Sequence, residues 1–203
     1  MDMSVDQTVE STTDNSPLPT RRVPGDMAMW CFILAELTAF ALMFILFSWL
    51  RSTDRELFLA GQQLLHPEAG LINTLALLSA SGFVAQGVIA NRASKQLQAS
   101  RWMLAGLAVA MIYVVVKCWE YYQLGSAGYG LNGNRFFTAY FLLTGFHFLH
   151  VLLGMSIIGY VTRRLRQQVY GPDNRVGLES VACYWHMVDL LWIVLFPLVY
   201  VIR

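Results

Sequence analysis

Thr144-Gly145-Phe146-His147-Phe148-Leu149-His150-Val151-Leu152-Leu153-Gly154 is an apolar run with two imidazoles three positions apart in its middle. It lies inside a longer apolar block, about 136–162, which at about 1.5 Å per helical residue spans the roughly 30 Å hydrocarbon core of a bilayer. A titratable ring is costly in hydrocarbon, so each histidine calls for a partner supplied by the rest of the chain.

Working outward, four further apolar blocks have similar length: about 28–50, 71–90, 102–122 and 178–201. The chain is 56% hydrophobic and 13% charged, with a mean hydropathy of +0.49. A typical soluble domain is about 25% charged. These features predict an all-α polytopic membrane protein, a bundle of five transmembrane helices over residues 26–203. Residues 1–25 read as a flexible polar tail: acidic and Ser/Thr-rich, with Pro17, Pro19 and Pro24, and without the pattern of a cleaved signal peptide. Pro24-Gly25-Asp26 reads as a turn and cap before the first span. The formal net charge of +1 leaves no basic face for nucleic acid. Cys31, Cys118 and Cys183 fall one per block, without zinc or iron–sulfur spacing, and read as small apolar helix residues.

Lys and Arg are unevenly shared among the flanks. The N-terminal flank and the second and fourth loops hold about nine, the remaining loops and the C-terminus about four. The positive-inside rule then puts the N-terminus in the cytoplasm and, after five spans, the C-terminus in the periplasm.

Helical rise converts position into depth. Glu36 lies on the order of 12 Å from the cytoplasmic end of its span, and His186 comes out similarly. His147 lies roughly 18 Å from the outer end of its own. His150 and Asp189 follow a turn to either side, and Glu179, His186 and Asp189 share one stripe of the last span. Glu36, His147, His150, Glu179, His186 and Asp189 are therefore expected to form one buried polar network between helices, sharing protons and hydrogen bonds. On that reading His147→Leu impairs assembly and stability more than it alters any spectrum. Lys117 and Glu120, one turn apart, are read as an ion pair near the outer surface. Trp102, Trp119, Tyr121, Tyr122 and Tyr200 read as interfacial anchors, and Trp185 and Trp192 as packing.

The chemistry these groups allow is limited. His147 and His150 leave one face of one helix, so they are not two opposed haem ligands. Glu36 suits either a proton relay or an interhelical hydrogen bond. No nucleophile–base pair, phosphate loop or dinucleotide fingerprint is present, so no residue is assigned a catalytic, cofactor or metal role. A small proton-coupled carrier is a second reading, disfavoured by the lack of a visible repeat, and a haem-binding membrane cytochrome a third.

Four segments in order resemble the haem-copper oxidase subunit III family: Met29-Trp30-Cys31-Phe32-Ile33-Leu34-Ala35-Glu36; Asn73-Thr74 with its small-residue run; Glu120-Tyr121-Tyr122 followed by Thr144 to Val151; and Tyr184-Trp185-His186-Met187-Val188-Asp189-Leu190-Leu191-Trp192. The resemblance covers the chain from Asp26 onward. It implies a non-catalytic integral subunit of a respiratory complex in the bacterial cytoplasmic membrane. Haem and metal would belong to a catalytic partner subunit, with membrane lipid as the other neighbour and a bound phospholipid in a cleft. Long members carry two further N-terminal helices not seen here. The short form and the Pro-Gly-Asp-Met-Ala-Met-Trp lead-in are most similar to accessory proteins of bacterial nitric oxide reductase, and subunits III of quinol or cytochrome c oxidases, assisting proton uptake, are the alternative.

Overall fold

A computed structural model describes residues 27–131, 133–167 and 176–202. The polar tail over 1–25 and the Pro24-Gly25-Asp26 turn lie outside the described residues. The elements are α1 (Met27–Thr53), α2 (Arg55–Gln63), α3 (Pro67–Arg92), α4 (Gln96–Ser126), α5 (Arg135–Arg166) and α6 (Val176–Phe196), the last running on into a π-helical turn, Pro197–Val201. Among the described residues five helices are long and apolar enough to cross a membrane: α1, α3, α4, α5 and Gly177–Val201. Among the described residues there is no strand.

Local chemistry fixes the helix ends. Asn134 caps α5 by accepting from the Phe137 N–H at 2.9 Å, and Arg163, Arg164 and Arg166 complement the dipole in its last turn. Pro67 opens α3, where its missing N–H has no intrahelical role. α4 closes through Gly128 at φ 81°, with Tyr129 N–H returning to the Leu124 carbonyl at 3.0 Å and Gly128 N–H to Gly125 at 3.1 Å. This helix-terminating turn needs a left-handed residue at that position.

α3 and α4 are the most closely packed pair. A Cβ added to Gly106 of α4 would sit 3.2 Å from the Ala80 carbonyl oxygen of α3, a tight contact that glycine avoids at this close helix approach. α6 packs on α3, α5 and α1. α1 is held most lightly: its buried residues are Ile33, Phe40 and Phe47, one per heptad.

α2 is absent from the sequence reading, which has a polar connector from Ser52 to Gly70. Phe58 of α2 stands edge-on to Phe47 and Phe136, each at 5.3 Å. Gln62 donates from Nε2 to the Val199 and Ile202 carbonyls at 2.9 and 3.0 Å. These carbonyls lie at the end of the helix, where no following N–H reaches them, so they need an outside donor. A buried glutamine supplies it.

Candidate functional site

Among the described residues the most enclosed ion pair is Lys117–Glu120, with side chains 0% and 1% exposed. Its depth near the end of α4 suggests the surface, but α5 and the π-helical turn close over it. The ammonium has three protons and three acceptors: Glu120 Oε2 at 2.8 Å, Tyr140 OH at 3.0 Å and Tyr200 OH at 2.8 Å. The Tyr200 hydroxyl donates to Glu120, 2.8 Å from Oε1 and 2.9 Å from Oε2. Tyr140, 3.2 Å from Tyr200, then donates to its oxygen. Nζ also faces the rings of Tyr121, Tyr140, Trp192 and Tyr200 at 5.0–5.6 Å. The paired charges cancel and every donor is used, which a buried ion pair requires.

Tyr121 and Tyr200, read from sequence as interfacial anchors, belong to this cage. Tyr200 is buried, and the Tyr121 hydroxyl donates to Thr144 at 2.9 Å. Trp119 and Tyr122, their neighbours in α4, do face outward. A tyrosine near a span end suits both places, so the sequence alone carried no signal for Tyr140 or Tyr200.

A second site bridges α1 and α5. His150 Nδ1 lies 2.8 Å from the Phe146 carbonyl, which only accepts, so Nδ1 carries a proton. His150 Nε2 then meets Glu36 Oε2 at 3.0 Å. That contact holds one shared proton, either as an imidazolium with a carboxylate or as an imidazole with a carboxylic acid. The Phe40 and Phe146 rings stand edge-on to the imidazole at 5.3 and 4.6 Å and shield it. Glu36→Leu is expected to destabilise the purified bundle by about 1–3 kcal/mol by stranding Nε2. Glu36→Gln keeps a hydrogen-bonding amide and should retain most of that stability. Thermal denaturation in detergent separates the two, and equal losses would show that the carboxylate charge is what matters.

The other four residues expected in one network are placed apart from this pair. His147 is 0% exposed and sits among the rings of Phe40, Tyr113 and Trp192 at 6.3, 6.0 and 5.2 Å. Neither of its nitrogens has a hydrogen-bond partner among the described residues. His186 is exposed on α6, its Nδ1 2.6 Å from the Ser81 hydroxyl of α3. Asp189 is buried beside the same serine, and its Oδ1 has no hydrogen-bond partner among the described residues. Glu179, in the first turn of α6, pairs with Arg92 at the end of α3 at 2.8 Å. The structure thus divides the expected network into separate sites because equal depth does not fix which neighbour a side chain faces. For His147 the expectation reverses. His147→Leu removes a buried imidazole and breaks no hydrogen bond, so the melting temperature should hold or rise, within roughly 1 kcal/mol.

Among the described residues no group of three or more His, Cys, Asp or Glu is placed to hold a metal ion. Fold and sites together define a multi-pass helical membrane protein whose titratable residues tie its helices to one another. The chain belongs to the cytochrome c oxidase subunit III family, whose sequence model matches residues 26–202. It is 34% identical over 132 residues to cytochrome c oxidase subunit 3 of Thermostichus vulcanus, covering 64% of each chain. With cytochrome c oxidase subunit 3 of Corynebacterium diphtheriae it shares 29% over 174 residues, 85% of each. It is 28% identical over 192 residues to the heme-copper oxidase subunit I+III of Aeropyrum pernix, covering 92% of this chain and 23% of that one. The chain thus spans less than two thirds of the length of the Thermostichus and Aeropyrum relatives. Family membership does not favour the carrier or cytochrome readings.

Proposed function

We propose that this chain is a non-catalytic accessory subunit of a haem-copper respiratory complex in a bacterial cytoplasmic membrane, supporting the assembly and stability of the catalytic subunit. The observation that carries the reading is the similarity, over 92% of this chain, to a relative whose name joins subunits I and III. A catalytic subunit I is the partner this implies, with haem and metal held there. The polar sites fit a supporting role, since each ties one helix to another: α1 to α5, α3 to α6, and α4 to α5 and the π-helical turn. The N-terminus is assigned to the cytoplasm and the C-terminus to the periplasm from the Lys and Arg distribution. Membrane phospholipid covers the outward apolar faces that the partner subunit leaves open.

Two electron acceptors remain as readings. The Pro-Gly-Asp-Met-Ala-Met-Trp lead-in favours a complex that reduces nitric oxide. The relatives named as cytochrome c oxidase subunits favour oxygen. Affinity purification of the tagged chain in mild detergent tests the proposal. A haem-containing partner is expected, and its haem types choose between the two substrates. Recovery of the chain with no haem protein would defeat the reading.

A further inference from the structure

Among the exposed residues described on α6, His186, Leu190, Ile193 and Val194, only His186 is polar. Leu190 and Ile193 are 54% and 43% exposed, and His186, one turn before Leu190, is exposed on the same stripe. His186 lies about 14 Å from Gly177, near the middle of a hydrocarbon core of about 30 Å. Ser81 takes up Nδ1, which leaves Nε2 as the ring nitrogen able to meet a group from outside the bundle. Lipid tails offer that atom no hydrogen bond, so an outward imidazole at this depth calls for a polar group from another chain.

The adjoining face of α3 fits such a visitor. Gly82 follows Ser81, is exposed, and a Cβ built on it would meet nothing within 4 Å. This is a notch that lets a second helix approach closely. Gln86, one turn further along the same face, is exposed and offers an amide within the span.

We propose that the His186 face of α6, together with the Gly82 notch of α3, docks one transmembrane helix of the catalytic subunit, which presents a hydroxyl or amide to His186. Such a group donates and accepts, so it complements Nε2 in either tautomer. The proposal rests on the accessory-subunit reading and specifies the face through which that subunit is held.

A photo-crosslinking phenylalanine analogue placed at Leu190 tests it in membranes containing the whole complex, with Val115 of α4 and Leu149 of α5, both 62% exposed, as control positions. The expected result is a haem-bearing adduct from Leu190 and none from the controls. Gly82→Leu fills the notch without touching this chain's own bundle, so the chain should accumulate normally while the adduct is lost. His186→Leu should lower the haem recovered per chain about fivefold, the scale of one intramembrane hydrogen bond. A haem-bearing adduct from Val115 or Leu149 instead, an adduct of two copies of this chain, or crosslinks from Leu190 to lipid alone would each overturn the docking face. If haem still co-purifies in those cases, the accessory-subunit reading stands and only the face is wrong. If the unmodified chain recovers no haem protein, both fall.

Discussion

Lys117→Met is expected to destabilise the bundle by about 3–5 kcal/mol, because it leaves the Glu120 carboxylate buried without its counter-charge. For a chain of this size that corresponds to a fall in melting temperature on the order of 10 °C. Two features make the site sensitive. The side chains are 0% and 1% exposed, and the ammonium also supplies hydrogen bonds to Tyr140 and Tyr200. Adding Glu120→Gln to Lys117→Met removes the stranded charge and leaves an amide oxygen to accept from Tyr200. The double variant should therefore recover most of the loss. If it melts as low as the single variant, the loss came from packing around the methionine and the electrostatic account is wrong.

Trp192→Ala should rank next. Trp192 is 0% exposed and touches three elements: its ring lies 5.2 Å from Tyr113 of α4 and 5.2 Å from His147 of α5, and its Nε1–H donates to Thr74 of α3 at 2.9 Å. Removing a buried tryptophan costs about 3–5 kcal/mol in water-soluble cores. In lipid the gain from leaving water is absent, so the cavity dominates and the loss should fall near the lower figure. Trp192→Phe keeps a ring and gives up chiefly the bond to Thr74, a loss of about 1 kcal/mol. The difference between the two melting temperatures measures packing separately from the hydrogen bond. Equal losses would assign the whole effect to Thr74.

The five spans were legible because a bilayer demands about 20 apolar residues in a row, and composition shows that directly. The ends ran past the apolar blocks: α4 starts at Gln96, although its hydrophobic stretch begins near Trp102. α2 was hidden because only a few positions of it, Phe58, Gly61 and Gln62, are buried within a polar connector. The sites were harder to read. Counting residues gives the level of a side chain in the membrane and says nothing about which neighbour it faces. Counting puts Glu36 level with His147 and His150 a turn away, yet Glu36 meets His150, whereas His147 turns into aromatic rings. His186 and Asp189 share a stripe, yet one is exposed and the other buried. Tyr200 lies beyond Pro197, where the π-helical turn breaks the spacing that would place it relative to α6.

The light seating of α1 also bears on how the protein is made. Glu36 and His150 are 114 positions apart, and apart from the contact of Phe47 with Phe58 of α2, α1 rests on α5 and α6, which are synthesised last. At about 5–20 residues per second, Glu36 is made on the order of ten seconds before its imidazole exists. During that interval the first span carries a carboxyl group with no partner from its own chain. The moment of greatest exposure for this protein is then during synthesis, and its end is set by the ribosome reaching His150. Codon choice or a pause between α1 and α5 would lengthen that interval, and with it the opportunity for quality-control proteases to act on α1.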